Sequence, residues 1–205
     1  MSRHTVRAYI GLGANVGDAT STLAAAVAAL EELPGIRLRG VSRLYATEPV
    51  GVTDQPEFRN AVVALEVPGG PDPAQGALAV LTQLKALERR SGRQVRDRWG
   101  PRELDLDLLI FGRARISVER PPSARSNDAT LDPARATKLL VVPHPEAHHR
   151  LFVLAPLSDL ARWLAPPGWG ETVDTARRRQ EAIEGPDAVR PIGRWDGAEG
   201  RWVAP

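Results

Sequence analysis

The segment from Asp105 to Phe111 places two aspartates in an apolar run, and it constrains the fold of this 205-residue chain more than any other segment. Its leucines and the Leu-Leu-Ile-Phe run that ends it are typical of a central, buried β-strand. Side chains two residues apart in a strand point to the same face, so Asp105 and Asp107 project together, roughly 6.6 Å apart. Because carboxylates are rarely buried without a partner, we expect this pair to have a function on the surface of a sheet.

An arginine-rich loop precedes this strand, with Arg98 and Arg102 on either side of a Trp-Gly-Pro sequence. Guanidinium groups match the oxygens of phosphates, and Mg²⁺ binds to carboxylates together with substrate phosphates. The combination favours transfer of a phosphoryl-type group from a nucleotide. The alternative interpretation is a solvated strand edge with surface salt bridges, which contribute little to stability. The apolar run around the aspartates argues against that alternative.

Upstream of this strand, the hydrophobic pattern predicts strands at 6–12, 36–46 and 58–67, and helices at 22–33 and from 73 to about 90. Asp72 and Pro73 introduce the second helix as an N-cap followed by proline at the first helical position. The order β-α-β-β-α-β predicts an α/β (α+β) fold of the ferredoxin-like class, an antiparallel sheet with helices on one face. The leucines of the last strand would face the helices, and the two aspartates would lie on the open face.

The length is that of one domain with an appendage, which we place at residues 1–165 with a C-terminal extension at 166–205. Residues 119–137 are rich in Pro, Arg, Ser and Asp and are predicted to form an inserted, flexible loop. The extension is polar and rich in Gly and Pro, and we expect it to wrap the domain or to be partly disordered.

Composition excludes several classes of protein. There is no cysteine, which removes disulfides, thiolate catalysis and cysteine-based zinc sites and fits a reducing cytoplasm. No apolar run approaches the roughly 18 residues of a membrane helix. The formal net charge of +2 does not favour a nucleic-acid partner.

Gly11, Gly13 and Gly17 follow the first predicted strand and precede the first helix. The pattern is similar to a dinucleotide-binding fingerprint, but the spacing is G-x-G-x-x-x-G and no acidic residue ends a clear second parallel strand. We interpret it as a tight strand-to-helix turn that passes close to a neighbouring loop.

Residues 47–51 and 54–60 form a second cluster. The amide of Asn60 could pair with the edge of a flat heterocycle, and the ring of Phe58 could stack on its face. The alternative is a structural loop with a phenylalanine in the core.

Residues 143–152 contain three of the four histidines. His144 and His148 have the i, i+4 spacing of a helical metal site, but the absence of cysteine and of an HExxH pattern favours a surface helix. In that interpretation His144 and Arg150 are available to phosphates, and Phe152 is available to a ring.

In their order along the chain, these motifs resemble those of the 6-hydroxymethyl-7,8-dihydropterin pyrophosphokinase family, from about residue 6 to about residue 160. They are Gly11-x-Gly13-x-Asn15, Thr47-Glu48-Pro49-Val50-Gly51, Asp54-Gln55-Pro56-x-Phe58-x-Asn60, the segment from Glu88 to Arg93, Arg98-Trp99-Gly100-Pro101-Arg102-x-Leu104-Asp105-Leu106-Asp107, and Pro143-His144 with Phe152. The resemblance implies the ferredoxin-like core and transfer of pyrophosphate from ATP to the pterin hydroxymethyl group, with release of AMP, in folate biosynthesis. We expect a monomeric, cytoplasmic enzyme with ATP and the pterin as its ligands and with no nucleic-acid or membrane partner.

The resemblance also implies roles for individual residues. Two Mg²⁺ ions would be held by Asp105 and Asp107, and Asp105 would also contact the substrate hydroxymethyl group. The residues implied in catalysis are Arg93, Arg96, Arg102, Asp105 and Asp107. Those implied at the ATP site are Glu88, Arg98, Trp99, Arg102, Leu108, His144 and Arg150, with Trp99 on a loop that closes over the site. Those implied at the pterin site are Thr47, Pro49, Val50, Phe58, Asn60, Asp105 and Phe152, with the two phenylalanines on either side of the ring.

Some residues depart from the family pattern. The loop before Trp99 is about one residue shorter than is common, so Val95 and Arg96 compete for the position of a loop arginine, and Arg96 is our candidate. Phe58 stands where tyrosine is frequent, and Pro145 stands where an aromatic residue is frequent. The insertion at 119–137 and the tail after 166 lie outside the resemblance.

Two other functions are consistent with the residues alone. A non-catalytic ferredoxin-like binding module would keep its ligand affinity when Asp105 and Asp107 are changed to alanine. A metal-dependent nuclease or nucleotidyltransferase would turn over its substrate without a pterin. The near-neutral net charge argues against a nucleic-acid substrate.

Overall fold

The predicted core strands form one antiparallel sheet in the computed structural model, which describes residues 4–49, 54–92, 101–124 and 137–205. The strands are β1 (Thr5–Ala14), β2 (Arg37–Val41), β3 (Leu44–Thr47), β4 (Phe58–Pro68), β5 (Asp105–Phe111), β6 (Ile116–Glu119), β7 (Lys138–Val142), β8 (Val189–Asp196) and β9 (Arg201–Val203). The order in the main sheet is β5-β1-β4-β3-β8-β9, and β2 also pairs with β4. Strands β6 and β7 form a separate two-stranded sheet.

The helices are α1 (Ala19–Glu31), α2 (Pro73–Arg90), α3 (Leu151–Ala161) and α4 (Val173–Glu184), with short 3₁₀ turns at Pro122–Ala124 and Ala147–His149. The carboxylate of Asp72 accepts hydrogen bonds from the amides of Ala74 and Gln75, which confirms the predicted start of α2. Asp18 caps α1 in the same way through the amide of Ser21. The core elements follow the predicted βαββαβ order, except that the second predicted strand is divided into β2 and β3.

The predicted strand at 36–46 is interrupted at Ser42. Its hydroxyl accepts the amide hydrogen of Val62 at 2.9 Å and donates to the carbonyl of Arg43 at 2.7 Å. The Ser42 hydroxyl thus takes the place of a backbone carbonyl as the acceptor for the Val62 amide of β4. The chain therefore forms two strands, β2 and β3, instead of one.

The two core helices pack on one face of the sheet, as predicted. Leu106 and Leu108 of β5 belong to the same hydrophobic cluster as Leu23 of α1 and Leu84 of α2. The other face is not free, because α3 and α4 pack on part of it in a second cluster that includes Leu109.

A β-bulge explains why β5 is apolar almost throughout. Tyr9 pairs with Ile110 and Ile10 pairs with Leu108, so Leu109 is an extra residue in β5. The bulge changes the alternation of side chains between faces, and Leu109 and Ile110 face α3 and α4.

The C-terminal extension continues the sheet. Strand β8 pairs with β3, and β9 pairs with β8, so the extension covers the edge of the predicted core. The indole of Trp202, which is 6% exposed, donates to the carbonyl of Ser42 at 2.9 Å. Both expectations for residues 166–205 stay predictions beside this observed pairing. The division near residue 165 stays a prediction, and residues 125–136 of the predicted insertion lie outside the described part of the chain.

The carboxylate of Asp174, 4% exposed, connects α4 to its surroundings. It pairs with Arg162 at 3.4 Å, with Arg177 at 3.4 Å and with Arg178 at 3.0 Å. Burial alone would raise the pKa of Asp174, but the three arginines outweigh burial and the pKa is lowered. A carboxyl whose pKa is lowered by folding stabilises the protein above its ordinary pKa, and this contribution is lost as the pH falls.

Changing Asp174 to asparagine is therefore expected to reduce the free energy of unfolding by about 1 kcal/mol near neutral pH. The difference between the two proteins should narrow as the pH falls below 3.8, the ordinary pKa of the group, and through the lowered pKa of the folded carboxyl. Urea unfolding of both proteins across this acid range and at neutral pH checks this. A difference that does not change with pH would show that charge is not the cause.

Candidate functional site

A cavity of about 810 Å³ lies beside the ends of β1, β4 and β5 and extends to α2. It is lined by residues of these strands, by Leu81 and Lys85 of α2, by β7, and by the segment that leads into α3. The volume is typical of sites for small ligands. Both clusters that sequence analysis associated with ligands, around Asn60 and around His144, reach this cavity together with Asp105 and Asp107.

Two glycines of β1 form the middle of the cavity floor. Gly13 pairs with Asn60 on one side and with Asp105 on the other, and Gly11 pairs in the same way with Asp107 of β5. A Cβ on Gly13 would lie 3.4 Å from Oδ1 of Asn60. The missing side chains leave space between the amide on β4 and the carboxylates on β5.

The interpretation of this motif as a turn is therefore wrong for Gly11 and Gly13, which lie within β1. Only Gly17, with φ of 60°, occupies the turn before α1. The antiparallel pairing of β1 with both of its neighbours also rules out a dinucleotide fold of the Rossmann type at this strand.

The two aspartates of β5 both line the cavity, but they differ in their hydrogen bonds to other residues. Oδ2 of Asp105 accepts a hydrogen bond from Nη1 of Arg102 at 2.8 Å. Asp107 makes no hydrogen bond or ion pair with any residue in the described ranges, and its carboxylate lines the cavity. An accessible, unpaired carboxylate beside a second one fits Mg²⁺, which needs few protein ligands when substrate phosphates and water supply the rest.

On the β4 side, Thr47 and Asn60 are both buried, and Nδ2 of Asn60 donates to Oγ1 of Thr47 at 2.9 Å. This hydrogen bond orients the amide, and the remaining N–H and the carbonyl oxygen stay available for a ligand. Phe58 also lines the cavity. Pro49 is buried but is not among the lining residues that the structure describes, and Val50 lies outside the described ranges.

Asn15, which is 2% exposed, connects three segments around the site. Its amide nitrogen donates to Oε1 of Gln55 at 3.0 Å and to the carbonyl of Pro56 at 3.1 Å. Its Oδ1 accepts the amide hydrogen of Arg102 at 2.7 Å, and its own amide donates to the carbonyl of Arg102 at 3.0 Å. The loop before β4 and the residues before β5 are thereby held to the end of β1.

His144, Arg150 and Phe152, from the segment that leads into α3 and from its first turn, form another part of the cavity wall. The amide of His144 donates to the carbonyl of Leu109 at 2.8 Å, so the bulge in β5 also anchors this wall. Nη2 of Arg150 lies 3.3 Å from Oε2 of Glu146, and its guanidinium lies 5.7 Å from the centroid of the Phe152 ring. The structure thus brings these three predicted residues together with the aspartates.

The predicted surface helix at His144–Arg150 is only a 3₁₀ turn at Ala147–His149. The ring of His148 stacks on Trp169 at 5.1 Å between centroids. Burial, followed by the neighbouring His149, lowers the pKa of His148. Across the described ranges there is no group of three or more His, Cys, Asp or Glu residues that could hold a metal, so nothing supports the alternative of a helical metal site.

Glu88 is buried behind β5 and supports its backbone. It is 2% exposed, and its Oε1 accepts hydrogen bonds from the amide of Leu106 and from Nζ of Lys85, both at 2.8 Å. It is not among the described residues that line the cavity, whereas Leu108 is. Glu88 therefore holds the β5 backbone between the two aspartates.

Sequence reasoning missed Lys85 and Lys138, which both line the cavity. They are the only lysines in the chain. Both lysines of a protein whose other basic side chains of this kind are arginines therefore lie at this site. The rarity of lysine in the sequence was the signal that could have identified them. Lys85 donates to Glu88 and to the carbonyl of Leu106, and Lys138 pairs with Glu119.

Four predicted residues, Arg93, Arg96, Arg98 and Trp99, lie outside the described residues, as does the competing Val95. Their assignments stay predictions. Within the part of the chain that the structure describes, none of the helices has the length and apolarity needed to span a bilayer.

A model of the 7,8-dihydro-6-hydroxymethylpterin-pyrophosphokinase (HPPK) family matches residues 9–162. The chain belongs to the HPPK family. It is 41% identical over 162 residues to the 2-amino-4-hydroxy-6-hydroxymethyldihydropteridine pyrophosphokinase of Pseudomonas aeruginosa, covering 78% of this chain and 84% of that protein. It is 39% identical to the Bacillus subtilis protein of the same name over 155 residues, which cover 76% and 78% of the two chains.

The fold is similar to that of a solved HPPK-DHPS from Plasmodium falciparum, with a TM-score of 0.69 at 14% identity. The match covers 98% of this chain and 50% of that chain, so this HPPK spans about half of the solved protein. At such identity the likeness concerns the fold alone, and it agrees with the predicted ferredoxin-like core.

The HPPK assignment decides among the functions that the sequence left open. The enzyme transfers pyrophosphate to hydroxymethyldihydropterin in folate biosynthesis. The comparisons give no support to the binding-module or nuclease alternatives.

Proposed function

We propose that this HPPK uses ATP as the pyrophosphate donor and Mg²⁺ as its cofactor, and that the described cavity is where the reaction occurs. The observation that carries the proposal is the register of the sheet. Gly13 separates Asn60, on the β4 side, from Asp105 and Asp107, on the β5 side. One flat ligand and one highly charged ligand can therefore meet over β1.

The pterin would bind on the β4 side. The oriented amide of Asn60 would pair with the polar edge of the ring. Phe58 and Phe152 both line the cavity and would stack on the two faces of the ring. Thr47, Pro49 and Val50 complete the proposed pterin site.

The triphosphate would bind on the β5 side. Arg102, His144 and Arg150 line the cavity and would supply hydrogen-bond donors to phosphate oxygens. Leu108, Arg98 and Trp99 complete the proposed ATP site, and Glu88 would support it from behind by holding the β5 backbone. Two Mg²⁺ ions held by Asp105 and Asp107, when bound, would neutralise the triphosphate and stabilise charge at the β-phosphorus.

In the proposed reaction the pterin hydroxymethyl oxygen forms a bond to the β-phosphorus and gives up its proton to water, and the bond from that phosphorus to the α–β bridging oxygen breaks, so that AMP leaves. None of the assigned residues is a strong general base. Arg93, Arg96 and Arg102 would act by electrostatic stabilisation and Asn60 by orientation, so the rate would come mainly from positioning.

Product analysis tests the donor and the cofactor. We expect AMP, and not ADP, to form from ATP only when both Mg²⁺ and 6-hydroxymethyl-7,8-dihydropterin are present. Chelation with EDTA should stop the reaction, and added Mg²⁺ should restore it. Formation of ADP, or formation of AMP at the same rate without the pterin, would contradict the proposal.

We also propose that the enzyme is a cytoplasmic monomer. The absence of cysteine fits a reducing compartment, and β8 and β9 cover one edge of the sheet that could otherwise pair with a second copy. Light scattering coupled to gel filtration measures the oligomeric state, and a dimer mass would contradict the proposal.

A further inference from the structure

Helix α3 begins without a cap of its own. Asp18, Asp72 and Thr172 cap α1, α2 and α4 with side-chain oxygens, but Arg150 at the start of α3 makes no such hydrogen bond. The amide of Leu151, at this helix start, instead donates a hydrogen bond to a residue of another segment. Oε1 of Glu184, at the end of α4, accepts the amide hydrogen of Leu151 at 3.0 Å.

A carboxylate is well suited to this position, because the amides of the first turn of a helix carry partial positive charge. Nε2 of Gln180 donates to the same Oε1 of Glu184 at 2.8 Å and so directs the carboxylate towards α3. Gln180 is 8% exposed, so the donor that directs the carboxylate is itself held in place by packing, although Glu184 is exposed.

A second contact from α4 holds the residues just before α3. Nη2 of Arg179 donates to the carbonyl of His148 at 2.9 Å and pairs with Glu171 at 3.0 Å. The chain that enters α3 is therefore attached to α4 at two points, His148 and Leu151.

The residues on either side of Leu151 face the cavity. Arg150 and Phe152 both line it, whereas Leu151 itself is buried in a cluster with Val189 of β8. The position of the Leu151 amide thus determines the direction in which its neighbours project. The contact with Glu184 lies behind the cavity wall, because Glu184 is not among the described residues that line it.

We propose that Glu184 is a positioning residue for the pterin site, acting through the Leu151 amide on Phe152. The C-terminal extension would thereby complete the active site of the domain that precedes it. This inference rests on the proposed stacking of Phe152 on the pterin.

A double-mutant cycle in the KM for the pterin tests the inference. Loss of a capping acceptor corresponds to roughly a fivefold change in an equilibrium constant. We expect Glu184→Ala to raise the pterin KM about fivefold in the wild-type background and less than about twofold in a Phe152→Ala background. Glu184→Gln keeps an oxygen acceptor and should restore most of the wild-type KM.

A purely structural role would give a different result. Loss of stability lowers the active fraction and hence kcat, but it leaves the KM of the remaining enzyme unchanged. Glu181→Ala is the matched control, since Glu181 lies on the same helix and pairs only with Arg177 among the described residues. Its pterin KM should equal that of the wild type.

An unchanged KM in Glu184→Ala, or the same increase in both backgrounds, would overturn the inference. If Glu184→Ala does not fold, Gln180→Ala, which removes the donor that directs the Glu184 carboxylate, is compared in the wild-type and Phe152→Ala backgrounds by the same criterion. Absence of pterin-dependent AMP release in the unmodified enzyme would instead overturn the proposed function, and the inference with it.

Discussion

Replacing Asp107 by asparagine is expected to reduce pterin-dependent AMP release about a thousandfold, which corresponds to roughly 4 kcal/mol of transition-state stabilisation. Asparagine has almost the same shape but carries no negative charge and is a poorer ligand for Mg²⁺. Because Asp107 makes no hydrogen bond or ion pair with other described residues, the substitution removes no stabilising contact within them. The melting temperature should therefore stay unchanged or rise slightly.

The measurement is the rate of AMP formation at saturating ATP and pterin, together with thermal unfolding. Asp187→Asn is the matched control, because Asp187 is an exposed carboxylate in the turn between α4 and β8. It should retain wild-type activity. Retention of more than about a tenth of the activity by Asp107→Asn would contradict the proposed metal site.

Replacing Asn15 by alanine is expected to lower both stability and activity. The substitution leaves the amide of Arg102 and the carbonyl of Pro56 without their partner, at a cost of about 2–3 kcal/mol in the free energy of unfolding. It also removes one of the two hydrogen bonds that hold Arg102 to the end of β1, and both side-chain bonds to the loop before Phe58. We expect kcat/KM to fall about a hundredfold, because small displacements of phosphate-binding groups have large effects on rate.

Ser42→Ala is the control that separates the loss of stability from the loss of activity. Ser42 is as buried as Asn15, and its hydroxyl also bonds to the backbone, at the amide of Val62. Its side chain is not among the described residues of the cavity wall. We expect a comparable loss of stability by urea unfolding, with kcat/KM within about twofold of the wild type. Equal losses of kcat/KM in both variants would show that Asn15 acts only through stability.

Local rules were sufficient for the core. The caps at Asp72 and Pro73 and the apolar stripe of α2 depend on residues close together in sequence, and the structure confirms them. The break at Ser42 was not predictable in this way. It depends on a hydrogen bond to β4, twenty residues further along the chain.

The C-terminal extension shows the same limit more strongly. Its polar, Gly-rich sequence has little hydrophobic periodicity, so the sequence does not decide between an ordered and a partly disordered extension. Strand β8 forms because β3 presents an unpaired edge, and Trp202 is buried because the carbonyl of Ser42 is there to accept its N–H. Such partners are supplied by distant segments.

For the site, the sequence by itself determined that Asp105 and Asp107 share a face, because the two-residue period of a strand is local geometry. Only the tertiary structure decided what lies opposite them. The register of β1 with β4 and β5 places Gly13 between Asn60 and Asp105, and the hydrogen bonds of Asn15 and Glu184 join segments that are distant in the sequence. The physical reason is that side-chain alternation follows from a single strand, whereas register and long-range hydrogen bonds depend on how the whole chain packs.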